Sequence, residues 1–160
     1  MDRVNAILQH PEFRRCMEEL LVWERDRVWC GHGWMHLLDT ARLAWIFNLE
    51  GELGLDRDVV YAAALLHDVG RSEQYESGIP HAQAGARIAE PILADCGFAV
   101  EERGEILYAI ASHSKRELSR KTVLADLLYR ADKASRACFA CAVETSCDWS
   151  SEKKNMELRY

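Results

Sequence analysis

Six residues of this chain pair a metal-ligating side chain with a position on an apolar helical face: His36, His67, Asp68, His81, His113 and Asp132. His67 follows Val60, Ala63 and Ala64 at helical spacing, and Asp68 follows Tyr61, Ala64 and Leu65 in the same way. His113 follows Ile106, Ala109 and Ile110, and Asp132 follows Leu124 and Leu128. His36 opens one helical segment with Thr40 and Leu43 on its side, and His81 opens another with Gly85 and Ile88. A buried carboxylate without a partner costs several kcal/mol, so Asp68 and Asp132 require a cation or a network of donors. Imidazole with carboxylate suits Fe, Mn, Zn or Co better than Mg or Ca alone. Taken singly, each residue has an ordinary explanation: a core histidine, a helix-end histidine favoured by the macrodipole, or an Asp132 paired with Arg130, Lys133 or Arg136. The set of six is what points to a metal site. Neighbouring side chains diverge by about 100° around a helix, so His67 and Asp68 reach one ion together only at a frayed helix end.

The elements that must position these groups read as helices, because apolar residues recur at three and four rather than alternating. Pro11 suits a first helical turn, with Phe13, Met17, Leu20 and Leu21 forming a stripe toward Arg27. After the break at CGHGW a helix covers about Met35 to Glu50 and stops at Gly51. Asp56 is an N-cap for VVYAAALLHDV, stopped by Gly70. Further helices run from His81 toward Gly97 with a kink at Pro91, from Val100 to His113, and from Thr122 to Arg136. No stretch carries the β-branched alternation of a strand, so the fold class is all-α.

The chain has 160 residues and 20 Lys+Arg against 26 Asp+Glu, for a formal net charge of −6. At 49% hydrophobic and 29% charged it reads as one globular domain. Its longest apolar run, Val59 to Leu66, is far short of the ~20 residues a bilayer span needs. MDRVNAILQHPEFRR lacks the apolar core of a signal peptide, so a cytoplasmic setting with reduced thiols is expected and no membrane is expected as a partner. The acidic balance argues against duplex nucleic acid but not against a small phosphorylated ligand held by metals and a few basic side chains.

The order of these residues resembles the HD-domain metal-dependent phosphohydrolase superfamily: His36, then LLHDVGR with His67 and Asp68 31 positions on, then Asp132 within YRADKASR. The resemblance spans roughly His32 to Arg136. It implies an orthogonal helical bundle of the HD-domain type, with a metal held by His36, His67, Asp68 and Asp132. His81 in IPHAQAGARIAEPIL and His113 in EILYAIASHS fall where some branches add two histidines. Those segments are similar to the corresponding region of the symmetrical diadenosine-tetraphosphate hydrolases. On that basis Asp68 bridges two divalent ions, Fe or Mn favoured and Zn, Co or Ni allowed, with His81 and His113 completing the second. The implied activity is hydrolysis of a small phosphorylated substrate, a nucleotide, by metal-activated water. Arg71 stands where the family commonly has Lys or Arg and is taken as catalytic and substrate-binding, with Lys115, Arg116 and Lys133 as further substrate contacts.

The expected organisation is residues 1–30 as N-terminal covering helices with Trp23 and Trp29 on the bundle, 31–136 as the metal-site core, and 137–160 as a cysteine-containing tail packed on it. His32, between Gly31 and Gly33, is read as a loop residue behind the ligands or facing substrate. Cys138, Cys141 and Cys147 are one ligand short of a structural zinc site, which leaves buried thiols as the main reading and zinc as a minority one. Exposed faces of a helical bundle allow a homodimer. Two rival functions remain: a non-catalytic nucleotide-sensing module, and a tail that acts in docking or redox sensing.

Overall fold

The protein is described by a computed structural model covering residues 1–158 and 160. The elements are α1 (Asp2–Gln9), α2 (Pro11–Trp23), α3 (Trp34–Glu50), α4 (Arg57–Leu66), α5 (Arg71–Ser77), α6 (His81–Asp95), α7 (Val100–Ser112), α8 (Arg116–Ser119) and α9 (Val123–Ala134). Two short 3-10 turns, Cys138–Ala140 and Glu144–Ser146, interrupt an otherwise irregular tail. No strand occurs among the described residues, and no helix among them is long and apolar enough to cross a membrane.

α4 is the centre of the bundle. Asp56 caps it, its Oδ1 accepting from the backbone N–H groups of Asp58 at 2.9 Å and Val59 at 3.3 Å. Val59, Val60 and every residue from Ala62 to Leu66 are buried. Such a helix needs neighbours on all sides, and α1, α3, α6, α7 and α9 supply them. The α3–α4 turn is closed by Asn48, whose side-chain amide donates to Leu55 O and accepts from Leu55 N, both at 3.1 Å. α3 and α9 pack side by side, and α6 packs on α7.

Three sequence expectations are corrected. α1 is a helix ahead of the one placed from Pro11, driven by burial of Val4 and Ile7. α2 stops at Trp23, and Trp23 and Trp29 stay exposed, because Phe13, Cys16, Met17 and Leu20 already fill that face. α4 ends at Leu66 rather than at Gly70, so the His67–Asp68 pair lies just outside the helix. Pro91 sits inside α6, which runs from His81 to Asp95.

Gly70 has an ordinary φ of −85°, so space rather than conformation requires glycine there. A Cβ at Gly70 would lie 2.4 Å from both Gly85 N and His81 O. The turn after α4 is thereby pressed against the first turn of α6, which brings the His67–Asp68 turn next to His81. Gly104, in the middle of α7, has open space around its Cβ position. Gly70→Ala should therefore cost about 2 kcal/mol or more in urea unfolding, because both obstructing atoms are backbone. Gly104→Ala should gain roughly 0.5–1 kcal/mol. Equal effects of the two substitutions would contradict this packing.

Candidate metal centre and its cavity

The ends of three helices build the centre. Where an α-helix stops, its last carbonyls lose their i+4 partners. At the end of α4, His67 Nδ1 takes up the freed Ala64 carbonyl at 2.6 Å. At the end of α7, His113 Nδ1 does the same with Ile110 O at 2.7 Å. At the end of α9, Ser135 Oγ donates to Asp132 O at 2.8 Å, so His36 Nδ1, 3.0 Å from that hydroxyl, must be the donor between them. His81 Nδ1 meets the Gln74 side-chain oxygen of α5 at 2.9 Å. Each imidazole that donates through Nδ1 presents a bare lone pair at Nε2 when neutral.

Those lone pairs face one another. His36 Nε2 lies 3.2 Å from His67 Nε2, and His81 Nε2 lies 3.1 Å from His113 Nε2. Asp68 stands between the pairs. Its Oδ2 is 3.1 Å from His67 Nε2 and 3.4 Å from His36 Nε2, while its Oδ1 is 3.6 Å from His81 Nε2 and 3.7 Å from His113 Nε2. Asp132 Oδ1 approaches His36 Nε2 at 3.3 Å and His67 Nε2 at 3.8 Å. Burial disfavours ionisation of Asp68, yet the imidazoles of His67, His113 and His36 hold its carboxyl well below the usual range. Asp132 is likewise held low against burial by His36, His67 and Lys133. His81 is pushed down to about 3, first by burial and then by Arg71, and so stays neutral.

With the four rings neutral the cluster is a buried set of acceptors, and it is a proton on His67, His113 or His36 that draws the Asp68 carboxyl low. Three helix C-termini, each carrying partial negative charge, end at the same place. The donor set fits divalent cations. Ligand–ligand edges of about 3.0–3.4 Å surround an ion whose bonds are about 2.1 Å, close to the separations here. His36, His67 and Asp68 form one convergent group; Asp68, His81 and His113 form another; His67, His113 and Asp132 form a third. All six sequence-predicted ligands are thus gathered, and Asp68 is the residue the first two groups share.

A cavity of about 450 Å³ opens beside Asp132 and His32, lined by Arg27, Arg71, Lys133 and Arg136. Arg71 Nε donates to Asp68 Oδ1 at 2.9 Å, and Lys133 Nζ to Asp132 Oδ2 at 2.8 Å. Arg136 donates to His36 Nε2 at 3.1 Å and to Gly31 O at 2.6 Å. Lys115 and Arg116 lie elsewhere. Lys115 is exposed before α8, and Arg116 is bound to Asp126 and stacked 4.9 Å above the Tyr129 ring. The sequence reading missed Arg27 as a cavity residue and gave Arg136 only a pairing role. The signal for Arg136 was its place one turn beyond Asp132. No group of three ligating atoms among the described residues includes a cysteine. Cys138 is buried, and Cys141 and Cys147 are half-buried free thiols.

His32, in the loop between α2 and α3, is buried and donates to Glu24, which also accepts from His32 N at 2.6 Å and from the Tyr75 hydroxyl at 2.8 Å. Burial alone would raise the Glu24 carboxyl, but these donors hold it at about 2.

The HD domain family profile matches residues 33–137. An uncharacterized protein of Clostridium beijerinckii is 39% identical over 160 residues, the full length of both chains. Ribonuclease Y of Acetivibrio thermocellus is 32% identical over 129 residues, covering 80% of this chain and 22% of that one. Ribonuclease Y of Chloroflexus aurantiacus is 36% identical over 102 residues, covering 64% and 18%. The chain therefore spans about a fifth of the length of those ribonucleases. A crystal structure from an uncultured Thermotogales bacterium, described as a predicted HD superfamily hydrolase, superposes with a TM-score of 0.67 at 22% identity, covering 89% of this chain and 79% of that one. The fold and the site define an HD-type helical scaffold. The chain belongs to the HD domain family.

Because the folded Glu24 carboxyl sits below its unfolded value, its contribution to stability is complete above about pH 4.5 and is lost as pH falls toward 2. Wild type should exceed Glu24→Gln by about 3 kcal/mol at pH 6, from 1.36 kcal/mol per unit of pKa. Guanidinium unfolding across that range should show the gap closing with acid, and a constant gap would refute the assignment.

Proposed function

We propose that this protein is a metal-dependent phosphohydrolase acting on a small phosphorylated compound, a nucleotide, with Asp68 bridging two divalent ions. The observation that carries this reading is the acceptor-only cluster of inward Nε2 lone pairs and two carboxylates, set beside a cavity lined by four cationic side chains. His36, His67, Asp68 and Asp132 would hold one ion, and Asp68, His81 and His113 the other, with Fe or Mn favoured by the imidazole–carboxylate set. Divalent ions in such a site acidify a water and neutralise phosphoryl oxygens.

The chain's own residues do the rest. Ala64 O, Ile110 O, Ser135 and Gln74 lock the four rings. Arg71, Lys133 and Arg136 now neutralise ligand atoms directly. With those atoms holding cations, the three side chains would be free to meet phosphoryl oxygens, and Arg71 is bonded directly to Asp68. Arg27, bound to Cys30 O at 2.8 Å, adds a fixed positive charge at the rim. His32, held by Glu24, lines the same cavity and presents its ring to the substrate. The similarity to proteins named ribonucleases supports a phosphoester as the bond attacked. Six free thiols suit the reducing cytoplasm.

One observation favours a second reading, a nucleotide-binding module without turnover: Arg71, Lys133 and Arg136 pair directly with Asp68, Asp132 and His36. Metal per chain and turnover separate the two. Wild type purified with Mn should carry two ions and hydrolyse a nucleotide. Asp68→Ala should lose metal and reduce hydrolysis by roughly 100-fold or more. Unchanged metal content and turnover in Asp68→Ala would sink the enzyme reading. Stabilisation by nucleotide without hydrolysis in metal-loaded wild type would establish the binding module.

A further inference from the structure

A second, larger cavity of about 690 Å³ lies outside the cluster, between the C-terminal half of α3, the outer face of α9 and the tail. Lys133 and Arg136 line both cavities, so the two lie on either side of the same pair of cationic side chains. The tail is tied down as the far wall by Asn155, whose side-chain amide donates to Lys133 O at 2.6 Å and Arg136 O at 2.9 Å. In a chain of net charge −6 this cavity is lined, among the described residues, by six basic and three acidic ones.

Its lining alternates cations with aromatic rings. Lys133 Nζ lies 5.6 Å from the Tyr129 ring, and the Arg116 guanidinium 4.9 Å from the same ring. Arg130 lies 5.5 Å from Phe47, and Phe139 is half exposed on the opposite wall. Asp126 serves both Arg116 and Arg130, so one carboxylate faces two guanidiniums and a positive charge is left over. Grooves that follow a single nucleic-acid strand combine a cationic track with rings on which unstacked bases lie. A contiguous polyphosphate would ask for contiguous cations with rings only at the ends. A duplex would keep its bases stacked on one another and away from these rings.

We propose that this second cavity binds the unit flanking the scissile phosphate of a single-stranded nucleotide chain. Its base rests against the Tyr129–Phe139 walls and its phosphate lies on Arg130 and Arg116. The substrate of the first cavity is then the end of an oligonucleotide rather than a free mononucleotide. This inference rests on the phosphohydrolase reading for the position of the scissile bond, but the binding it predicts does not need turnover.

The test uses the full chain in EDTA, so that nothing is hydrolysed, with a fluorescein-labelled single-stranded tetranucleotide read by anisotropy. The tetranucleotide should bind about tenfold or more tightly than a labelled mononucleotide. Arg130→Glu and, independently, Phe139→Ala should each remove about tenfold of that binding, in line with one stacked base. Arg130→Glu should also lower the salt slope by about one. Neither substitution should change mononucleotide binding or metal-supported hydrolysis of a small chromogenic phosphodiester. Equal affinity for both lengths, or indifference of the tetranucleotide to both substitutions, overturns the proposal. So does sensitivity confined to a dinucleoside tetraphosphate. If the chromogenic ester is never hydrolysed but the tetranucleotide responds as stated, the cavity assignment stands and the phosphohydrolase reading falls.

Discussion

Everything at the centre depends on which nitrogen of each imidazole carries the proton. A neutral histidine is donor at one ring atom and acceptor at the other, and a metal site needs the acceptor turned inward. Here the bundle settles the matter with its own backbone. α4 and α7 each release a carbonyl where they end, at Ala64 and Ile110, and a histidine three residues on occupies it. α9 achieves the same at one remove, through Ser135. Groups that would otherwise be unsatisfied helix-terminal acceptors are thus used to aim the ligands. One backbone feature stabilises the helix ends and presets the site for cations.

The same economy governs packing. His67 and Asp68 cannot both point at one centre from a regular helix, so α4 must stop before them. It must also stop close to α6, since His81 has to meet Asp68 from the other side. The Gly70–Gly85 contact allows that approach: with no Cβ at Gly70, two backbones come near enough for a side chain on each to address the same carboxylate. The small residues around it, Ala62 to Ala64 on α4 and Ala82 and Ala84 on α6, serve the same close packing, and Ile110 of α7 closes over Gly85.

How much of this could be read from the chain follows from the range of each interaction. The helices were legible because burial imposes a 3.6-residue period, and the six ligands because a polar group on an apolar stripe needs a reason to be there. The end of α4 was misread because the sequence offers Gly70 as a stop signal. The helix in fact ends at Leu66, where the His67 ring takes the Ala64 carbonyl. α1 escaped notice because two apolar positions in eight residues make a weak pattern without the surface of α4 beneath them. Arg27 was invisible because its position depends on the path of the loop to His32, which Glu24 sets from just past the end of α2. The tail has no period at all, so its course over α9 is a tertiary fact, carried by Asn155.

Net charge, in the end, predicted less about partners than local charge does. A formal −6 describes the long-range field, which falls off within about 8–10 Å at ordinary ionic strength. A ligand inside the clefts experiences mainly the groups that line them. There the balance is reversed by Arg27, Arg71, Arg130, Lys133 and Arg136. Three of these cations now touch the atoms that divalent ions would claim. On the proposed function, a divalent ion and a phosphate would be linked through these side chains: the groups that pair with Asp68, Asp132 and His36 are the ones an anion in the cleft would need. An exchange of partners there would need no moving segment, because it lies within the reach of an arginine or lysine side chain.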